Sequence, residues 1–211
     1  DSDSQTINMT GDINSNGSAI RISSNSNYNT VTIEGNITEN TGYEAARGIL
    51  IDGNSDSNTV NVTGDITTTE APGIQISNSD SNTITLSGNV NSPGGHDFSL
   101  DGAILVGANS QDNTFNLNTG TTIIGGFDNA GTNTTINNQG TIDILTNSGT
   151  VTYTGALPVN YNIIIDSPTE YGTTSFSSAT GTTTFGVDTT QRWNSTSGIG
   201  GYYSDILSGI G

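Results

Sequence analysis

Carboxylates and basic side chains that could perform catalysis are sparse in this sequence. Glu44 and Arg47 lie three residues apart, and Asp97 and Asp101 lie four residues apart. A glycoside hydrolase uses two carboxylates about 5–10 Å apart, and a polysaccharide lyase combines a carboxylate with a basic residue. These two pairs are therefore the candidates for a carbohydrate-active enzyme, a lyase or a glycosidase.

Other catalytic machinery has no support in the sequence. His96 is the only histidine, which excludes a metal site built from several imidazoles, and no serine near it stands in a Gly-x-Ser-x-Gly setting. The absence of cysteine excludes disulfides and thiol chemistry. Because no acid, base and nucleophile converge, we predict that the chain is not an enzyme and has no cofactor.

Two segments rich in Asp, Asn and Ser bear on calcium binding. They read DGNSDS at residues 52–57 and NSDS at residues 78–81. Calcium needs several oxygen ligands from one compact loop, and neither segment has the EF-hand spacing or the nonapeptide repeat of calcium-binding β-rolls. We expect these side chains to solvate corners of the chain, and calcium binding is the alternative.

A nine-residue cassette recurs along the chain. It predicts the strands that position the candidate residues named above. Its copies read QTINMTGDI, NTVTIEGNI, NTVNVTGDI, NTITLSGNV, NTFNLNTGT and NTTINNQGT. Their starting positions, 5, 29, 58, 82, 113 and 133, differ by 24, 29, 24, 31 and 20. Self-similarity at such a spacing is typical of a solenoid.

Each repeat carries three short strands. Val31 and Ile33 alternate with Thr30 and Thr32, which places the two pairs on opposite faces of a strand. A second inward position and a third inward pair follow in each repeat: Ile13, Ile37, Ile66 and Val90, then Ile20 and Ile22, Ile49 and Ile51, Ile74 and Ile76, Ile104 and Val106. We therefore predict an all-β chain, a parallel β-helix of about six rungs over residues 1–150, with rungs about 4.8 Å apart. Residues 151–211 form a strand-rich cap or docking segment.

The corners of this coil differ. The corner before each cassette has a fixed length, and the opening Asn29, Asn58, Asn82 and Asn113 lie there. We expect one residue per turn to take the left-handed conformation that Asn tolerates, with the stacked amides bonded as a ladder. Residues 12, 36, 65 and 89 alternate between Asp and Asn, which separates like charges. We interpret that alternation as structural.

Long insertions fall on another corner, where solenoids place variable and often functional loops. The insertions span residues 38–48 and 91–103 and lie two rungs apart. We predict that they form one interaction surface, the loop ridge. Its residues are Tyr43, Glu44, Arg47, His96, Asp97 and Phe98.

Composition limits the partners. Three basic and twenty acidic residues give a net charge of −17, which excludes nucleic acid because its binding depends on neutralising phosphates. No run of 18 apolar residues exists to span a membrane. Only 30% of the residues are hydrophobic and 28 are Gly, so disorder is an alternative, but the regular placement of Ile and Val opposes it.

The outward positions of the cassette carry Thr and Asn. The pairs are Thr6 and Asn8, Thr30 and Thr32, Thr59 and Asn61, Thr83 and Thr85, Thr114 and Asn116. Such an array is reminiscent of β-helical ice-binding proteins, which makes ice binding a second alternative. Thr is also favoured on any solvated strand, and three of the five pairs contain Asn.

The chain resembles the passenger region of a bacterial autotransporter or a related β-helical adhesin. The motifs that carry the resemblance are the Asn-Thr-Val-x-Val-x-Gly-Asp-Ile rungs, followed by NSGTVTYTG at residues 147–155 and YNIIIDSPTEYG at residues 161–172. The resemblance implies an extracellular location at a bacterial cell surface. It also implies a structural or adhesive function, with host-cell or biofilm glycans or proteins as partners.

The two ends of the predicted solenoid differ, which bears on assembly. The first rung has no helix, proline or lysine to block its strand edges, and the C-terminal segment is rich in aromatic residues. Unlike ends favour open filaments, so we predict head-to-tail stacking with copies of the chain or with neighbouring β-helix rungs. The assembly residues are Gln5, Ile7, Met9, Tyr161, Ile163, Ile165, Tyr202, Tyr203, Ile206 and Leu207. The alternative is that further rungs of a longer passenger cover both ends.

Overall fold

The chain folds as a parallel β-helix, as the cassette repeat predicts. The computed structural model describes residues 3–40, 46–92, 102–167, 170–188 and 207–208. Over these residues the regular structure is entirely β, with no helix. Three parallel sheets run along the coil axis. Each turn of the coil is called a rung, and a complete rung contributes one strand to each sheet.

The first two sheets are formed by the cassette and by the short strand that follows it. Sheet 1 contains, in order along the axis, β1 (Thr6–Thr10), β4 (Thr30–Glu34), β7 (Thr59–Val62), β10 (Thr83–Leu86), β13 (Thr114–Leu117), β16 (Thr134–Asn138), β19 (Thr150–Ala156), β22 (Thr173–Thr180) and β24 (Leu207–Ser208). Sheet 2 contains β2 (Ile13–Ser15), β5 (Ile37–Glu39), β8 (Ile66–Thr67), β11 (Val90–Asn91), β14 (Thr122–Ile124) and β17 (Thr141–Ile142).

Sheet 3 closes each rung. It contains β3 (Ile20–Ile22), β6 (Ile49–Asp52), β9 (Ile74–Ser77), β12 (Ile104–Val106), β15 (Phe127–Asn129), β18 (Ile144–Asn147), β20 (Asn160–Ser167) and β23 (Thr184–Asp188). A short strand, β21 (Glu170–Tyr171), pairs antiparallel with β20. This is the one departure from parallel pairing among the described strands.

The inward columns predicted from the alternation are confirmed. Val31 pairs with Val60, and Val60 with Ile84, so these side chains stack along the axis. All three are buried, as is the neighbouring column of Ile33, Val62 and Leu86. The core is a narrow column of β-branched side chains, which explains how 30% hydrophobic residues suffice. Strands favour such side chains because they pack well on a pleated surface.

The fifth and sixth cassettes align differently from the sequence prediction. Starting the sixth cassette at Asn133 places Thr135 beside Phe115, but β13 and β16 pair Phe115 with Ile136. A shift of one residue exchanges the two faces of a strand. The observed register turns Ile136 inward, where it is buried, and that burial is the physical reason for the correction.

The stacking continues beyond residue 150. β19 pairs with β16, and β20 pairs with β18, both in parallel, whereas sequence analysis places a separate segment there. Sheet 2 ends with β17 among the described strands, so the later rungs contain strands of sheets 1 and 3 only. The interior is aromatic here, since Tyr153, Tyr161 and Phe176 pack with ring centroids 5.6 and 6.1 Å apart.

Candidate functional site

The corner between sheets 3 and 1 carries a repeated four-residue motif that sequence analysis identified only in part. The motif begins with Ser and ends with Asn, at residues 26–29, 55–58, 79–82 and 110–113. All four serines and all four asparagines are buried. The predicted amide ladder is confirmed, with Nδ2 to Oδ1 distances of 3.0, 3.1 and 3.2 Å from Asn29 through Asn58 and Asn82 to Asn113.

The residue before each ladder asparagine takes the left-handed conformation, and the asparagine itself does not. The φ angles are positive at Tyr28, Ser57, Ser81 and Asp112, between 55 and 59°. The expected left-handed residue is therefore present in each of these turns, and Asn25, Asn54 and Asn78, earlier in the same corner, also take this conformation. The ladder amide must point inward, so the preceding position absorbs the turn.

Two further ladders run through the same corner and were missed by sequence analysis. The main-chain N–H of Ser55 donates to Ser79 Oγ at 3.1 Å. The N–H groups of Asp80 and Gln111 donate to Oδ1 of Asp56 and Asp80 respectively, both at 2.7 Å. The recurrence of Ser three residues before each ladder Asn is the signal that could have revealed these bonds. Two of the three carboxylates considered for calcium, Asp56 and Asp80, therefore accept hydrogen bonds from main-chain amides.

The aligned residues 12, 36, 65 and 89 have the structural role that the alternation indicates. The N–H of Asn36 donates to Asp12 Oδ1 at 2.8 Å, and the N–H of Asp65 donates to Asn36 Oδ1 at 2.9 Å. Asn89 continues the series with an N–H bond of 2.7 Å to Asp65 Oδ1. Each side chain thus ties its rung to the next one.

The outward face of sheet 1 presents an unbroken column of threonines. Strand register aligns them in the order Thr6, Thr30, Thr59, Thr83, Thr114, Thr135 and Thr152. The adjacent column mixes Thr and Asn, and part of it is bonded along the axis. Asn137 Nδ2 donates to Asn116 Oδ1 at 2.8 Å, and Thr154 Oγ1 donates to Asn137 Oδ1 at 2.7 Å.

A shallow groove of about 380 Å³ lies on the outward face of sheet 3, which we call the sheet 3 groove. Its lining residues are Arg21, Ser24, Arg47, Leu50, Asp52, Gly53, Gln75, Ser77 and Asn78. Arg21, Leu50 and Gln75 are in register on β3, β6 and β9 and form its floor. The groove contains two of the three basic side chains of the protein.

One ion pair crosses the groove. Arg21 Nη2 donates to Asp52 Oδ2 at 2.9 Å, and the side chains are 58% and 23% exposed. The other carboxylate oxygen, Asp52 Oδ1, is buried and has no hydrogen-bond partner. Arg47 lies deeper, where its Nε donates to Gln75 Oε1 at 2.5 Å, and burial lowers the pKa of its guanidinium. Sequence analysis did not single out Arg21 or Asp52 as partners.

Of the predicted loop ridge, the structure describes one residue. Arg47 is buried at the root of its loop, and it belongs to the sheet 3 groove. The other five ridge residues, Tyr43, Glu44, His96, Asp97 and Phe98, lie outside the described residues, as does Asp101. In the part of the chain that the structure describes, no three His, Cys, Asp or Glu side chains come together as a metal site.

The predicted assembly residues divide between the surface and the interior. Ile7 and Met9 are 48% and 36% exposed on β1, at the edge of sheet 1. Tyr161, Ile163 and Ile165 are instead buried. Gln5 is exposed at the start of β1, Leu207 lies on the edge strand β24, and Tyr202, Tyr203 and Ile206 lie outside the described residues.

The strand around Tyr161 cannot serve as the free edge that sequence analysis assigned to it. Both of its sides are occupied, since β20 pairs with β18 on one side and with β23 on the other. The far edge of sheet 3 is therefore β23, which carries Phe185. That side chain is 45% exposed and contacts the Tyr161 ring at a centroid distance of 5.8 Å.

Comparisons with known proteins identify no relative. No family model, no curated protein and no solved structure matches the chain. Over the described residues, no helix is long and apolar enough to cross a membrane.

Proposed function

We propose that this protein is a non-enzymatic structural or adhesive component of an extracellular surface, a β-helical rod that stacks end to end with another β-helical rung. The observation that carries the proposal is the row of unpaired strand edges that the described residues leave at one end of the coil. β1, β2 and β3 are the edge strands of all three sheets at one end of the coil. An edge strand presents unpaired N–H and C=O groups that template further pairing.

The apolar core reaches both ends of the described coil. Ile7 and Met9 continue the inward columns of Val31 and Ile33 but are partly exposed. Phe185 continues the column of Tyr161 at the other end and is also partly exposed. A rung placed on either end would bury these side chains, and burial stabilises by about 25 cal/mol per Å² of apolar surface.

We propose a second copy of the chain as the occupant of the first rung. The two ends are unlike, and contacts between unlike ends propagate into filaments when the rotation does not close. The net charge of −17 opposes stacking by self-repulsion, which salt screens over about 8–10 Å. Assembly is therefore expected to strengthen with salt as well as with concentration.

Sedimentation velocity against concentration and salt tests this proposal. The wild-type chain should form larger species as either rises, while Ile7→Lys, which places a charge at the inward edge position, should stay monomeric. Thr6→Lys is the matched control, because it adds the same charge to the outward face of the same strand and should assemble like wild type. A wild-type chain that stays monomeric at high concentration in moderate salt contradicts a second copy as the occupant.

The extracellular location rests on composition and on the resemblance to autotransporter passengers. The chain has 3 basic and 20 acidic residues, and its rungs resemble those of β-helical adhesins. Surface proteolysis of intact cells that produce the protein measures this directly. A chain that is protected until the cells are lysed contradicts the proposed location.

Ice binding is a second candidate, favoured by the threonine column of sheet 1. Seven rungs present Thr at one outward position, which repeats a methyl and a hydroxyl group at the rung spacing. Thermal hysteresis measures this activity. It should be lost in Thr83→Tyr, which interrupts the column, and kept in Gln75→Tyr on sheet 3. A wild-type chain without thermal hysteresis contradicts this candidate.

A further inference from the structure

We propose that the sheet 3 groove binds a neutral saccharide chain through its hydroxyl groups. The groove measures about 380 Å³, within the range of about 300–1,000 Å³ of small-molecule sites. It combines a guanidinium, a carboxylate, side-chain amides and hydroxyls around the apolar side chain of Leu50. This proposal names the ligand class that an adhesive function would need. It rests on the proposed function in one respect, namely that the bound saccharide is not cleaved.

Asp52 has one satisfied and one unsatisfied carboxylate oxygen. Its Oδ2 accepts a hydrogen bond from Arg21, but its Oδ1 is buried without any partner. An unsatisfied buried acceptor costs about 1–3 kcal/mol, and more when it is charged. Oδ1 is sealed from solvent in this side-chain position, so a ligand reaches it only when the Asp52 carboxylate turns toward the groove, and a ligand that then donates a hydrogen bond to the carboxylate removes this cost.

Arg21 supplies the complementary donors. A guanidinium has five N–H groups in a fixed fork, and Arg21 Nη2 donates to Asp52 Oδ2 at 2.9 Å. The side chain is 58% exposed at the groove surface. A hydroxyl group both donates and accepts. Two neighbouring hydroxyls of one sugar could therefore donate to the Asp52 carboxylate and accept from Arg21.

The rest of the groove fits the same ligand. Leu50 is half-buried between Arg21 and Gln75 in the strand register, and it offers an apolar surface to the C–H face of a sugar ring. Ser77 is in register with Asp52 on the next rung. Ser77 and Asn78 add groups that donate and accept at the end of the groove.

Charged ligands fit less well. A carboxylate or phosphate ligand would lie beside Asp52 in a protein of net charge −17, and like charges disfavour each other in such a site. A metal cation would meet the guanidinium of Arg21 and only one carboxylate, Asp52, among the lining residues. A neutral ligand rich in hydroxyl groups avoids both conflicts.

Saturation-transfer NMR and calorimetric titration with defined oligosaccharides test the proposal. The neutral probes are the hexasaccharides of cellulose, amylose, mannan and chitin, and the anionic probe is hexagalacturonate. The variants are Arg21→Gln and Asp52→Asn in the full chain. Asp112→Asn is the matched control, because it makes the same charge change at an exposed corner residue outside the groove. Urea unfolding verifies that each variant is folded.

We expect at least one neutral hexasaccharide to bind the wild type, and its Kd to rise at least tenfold in Arg21→Gln and in Asp52→Asn but not in Asp112→Asn. Wild type that binds none of the neutral probes, or variants that bind like wild type, contradict the proposal. Tighter binding of hexagalacturonate identifies an anion site and also contradicts it. Mass spectrometry of the recovered sugar tests the non-enzymatic function separately from saccharide binding in the groove. A cleaved sugar refutes the non-enzymatic function but leaves the groove as the binding site.

Discussion

Asn58 is bonded to the next rung through a single atom of Asn82. Its main-chain N–H and its Nδ2 both donate to Asn82 Oδ1, at 2.9 and 3.1 Å. Asn29 makes the same pair of bonds to Asn58 Oδ1, at 2.9 and 3.0 Å. Each ladder oxygen therefore satisfies two donors of the preceding rung in a buried corner, and the loss of the Asn82 side chain leaves the Asn58 N–H without an acceptor and its Nδ2 with only the bond to Ser26 O.

Replacing a ladder asparagine should destabilise the coil. Asn82→Ala removes the acceptor of the Asn58 N–H and one of the two acceptors of Asn58 Nδ2, and each unsatisfied buried N–H costs about 1–3 kcal/mol. We expect the free energy of unfolding to fall by about 2–5 kcal/mol in urea titrations. Asn61→Ala, at an outward position of sheet 1, should change it by less than about 1 kcal/mol. Equal effects of the two changes would show that the ladder does not stabilise the corner.

The inward column gives a second stability prediction. Val60 is fully buried between Val31 and Ile84, so Val60→Asp buries a carboxylate that lacks a partner. We expect a loss of about 3–5 kcal/mol. Asn61→Asp, one residue later and outward, should be nearly neutral. A Val60→Asp variant that melts at the wild-type temperature with the same cooperativity means that the register is wrong.

Glycines at the corner between sheets 1 and 2 allow rungs to stack closely. A Cβ added at Gly64 would lie 2.1 Å from the main-chain oxygen of Gly35, and one at Gly88 would lie 2.2 Å from that of Gly64. Gly64→Ala should therefore force neighbouring rungs apart and lower the unfolding free energy by about 2 kcal/mol or more. Gly17→Ala is the control, since its Cβ would meet no atom within 4 Å. Hydrogen exchange of the flanking amides should rise in the first variant alone.

Buried tyrosines should make the fold sensitive to high pH. Burial raises the pKa of Tyr153 and of Tyr161 above the usual value of about 10, although the hydrogen bonds of Tyr153 with Asn138 and of Tyr161 with Thr174 oppose the shift. Below pH 10 both tyrosines are neutral in the folded and unfolded states, so their contribution to stability is fully present. Above pH 10 the unfolded chain releases protons that the folded chain keeps, and stability falls.

The expected slope is about 1.4 kcal/mol per pH unit above pH 10 for each tyrosine that stays neutral in the folded chain. Urea unfolding between pH 9 and 12, with tyrosinate absorbance as the monitor, measures it. Tyr153→Phe should reduce the slope, whereas Tyr28→Phe, at an exposed position, should leave it unchanged. Stability that is flat across this range in the wild type contradicts the prediction.

Several features were determined by the sequence alone because they depend on local pattern. The alternation of Val31 and Ile33 with threonine determines which face of the strand is buried. The recurrence of the cassette determines that strands pair in parallel with their own copies. The position of Asn29, Asn58 and Asn82 at a corner of fixed length determines the amide ladder, since stacked identical side chains meet at each rung.

The tertiary structure decided the features that depend on which rung lies beside which. The sixth rung is aligned so that Ile136, and not Thr135, lies beside Phe115, because Ile136 is then buried. The period of two is the same in both alignments, so it does not by itself choose between them. The coil continues past residue 150 because β19 and β20 find partners on β16 and β18. In the sheet 3 groove, Arg21 and Asp52 lie on neighbouring rungs and form a hydrogen bond. The two charges meet because the chain between them makes one full turn of the coil.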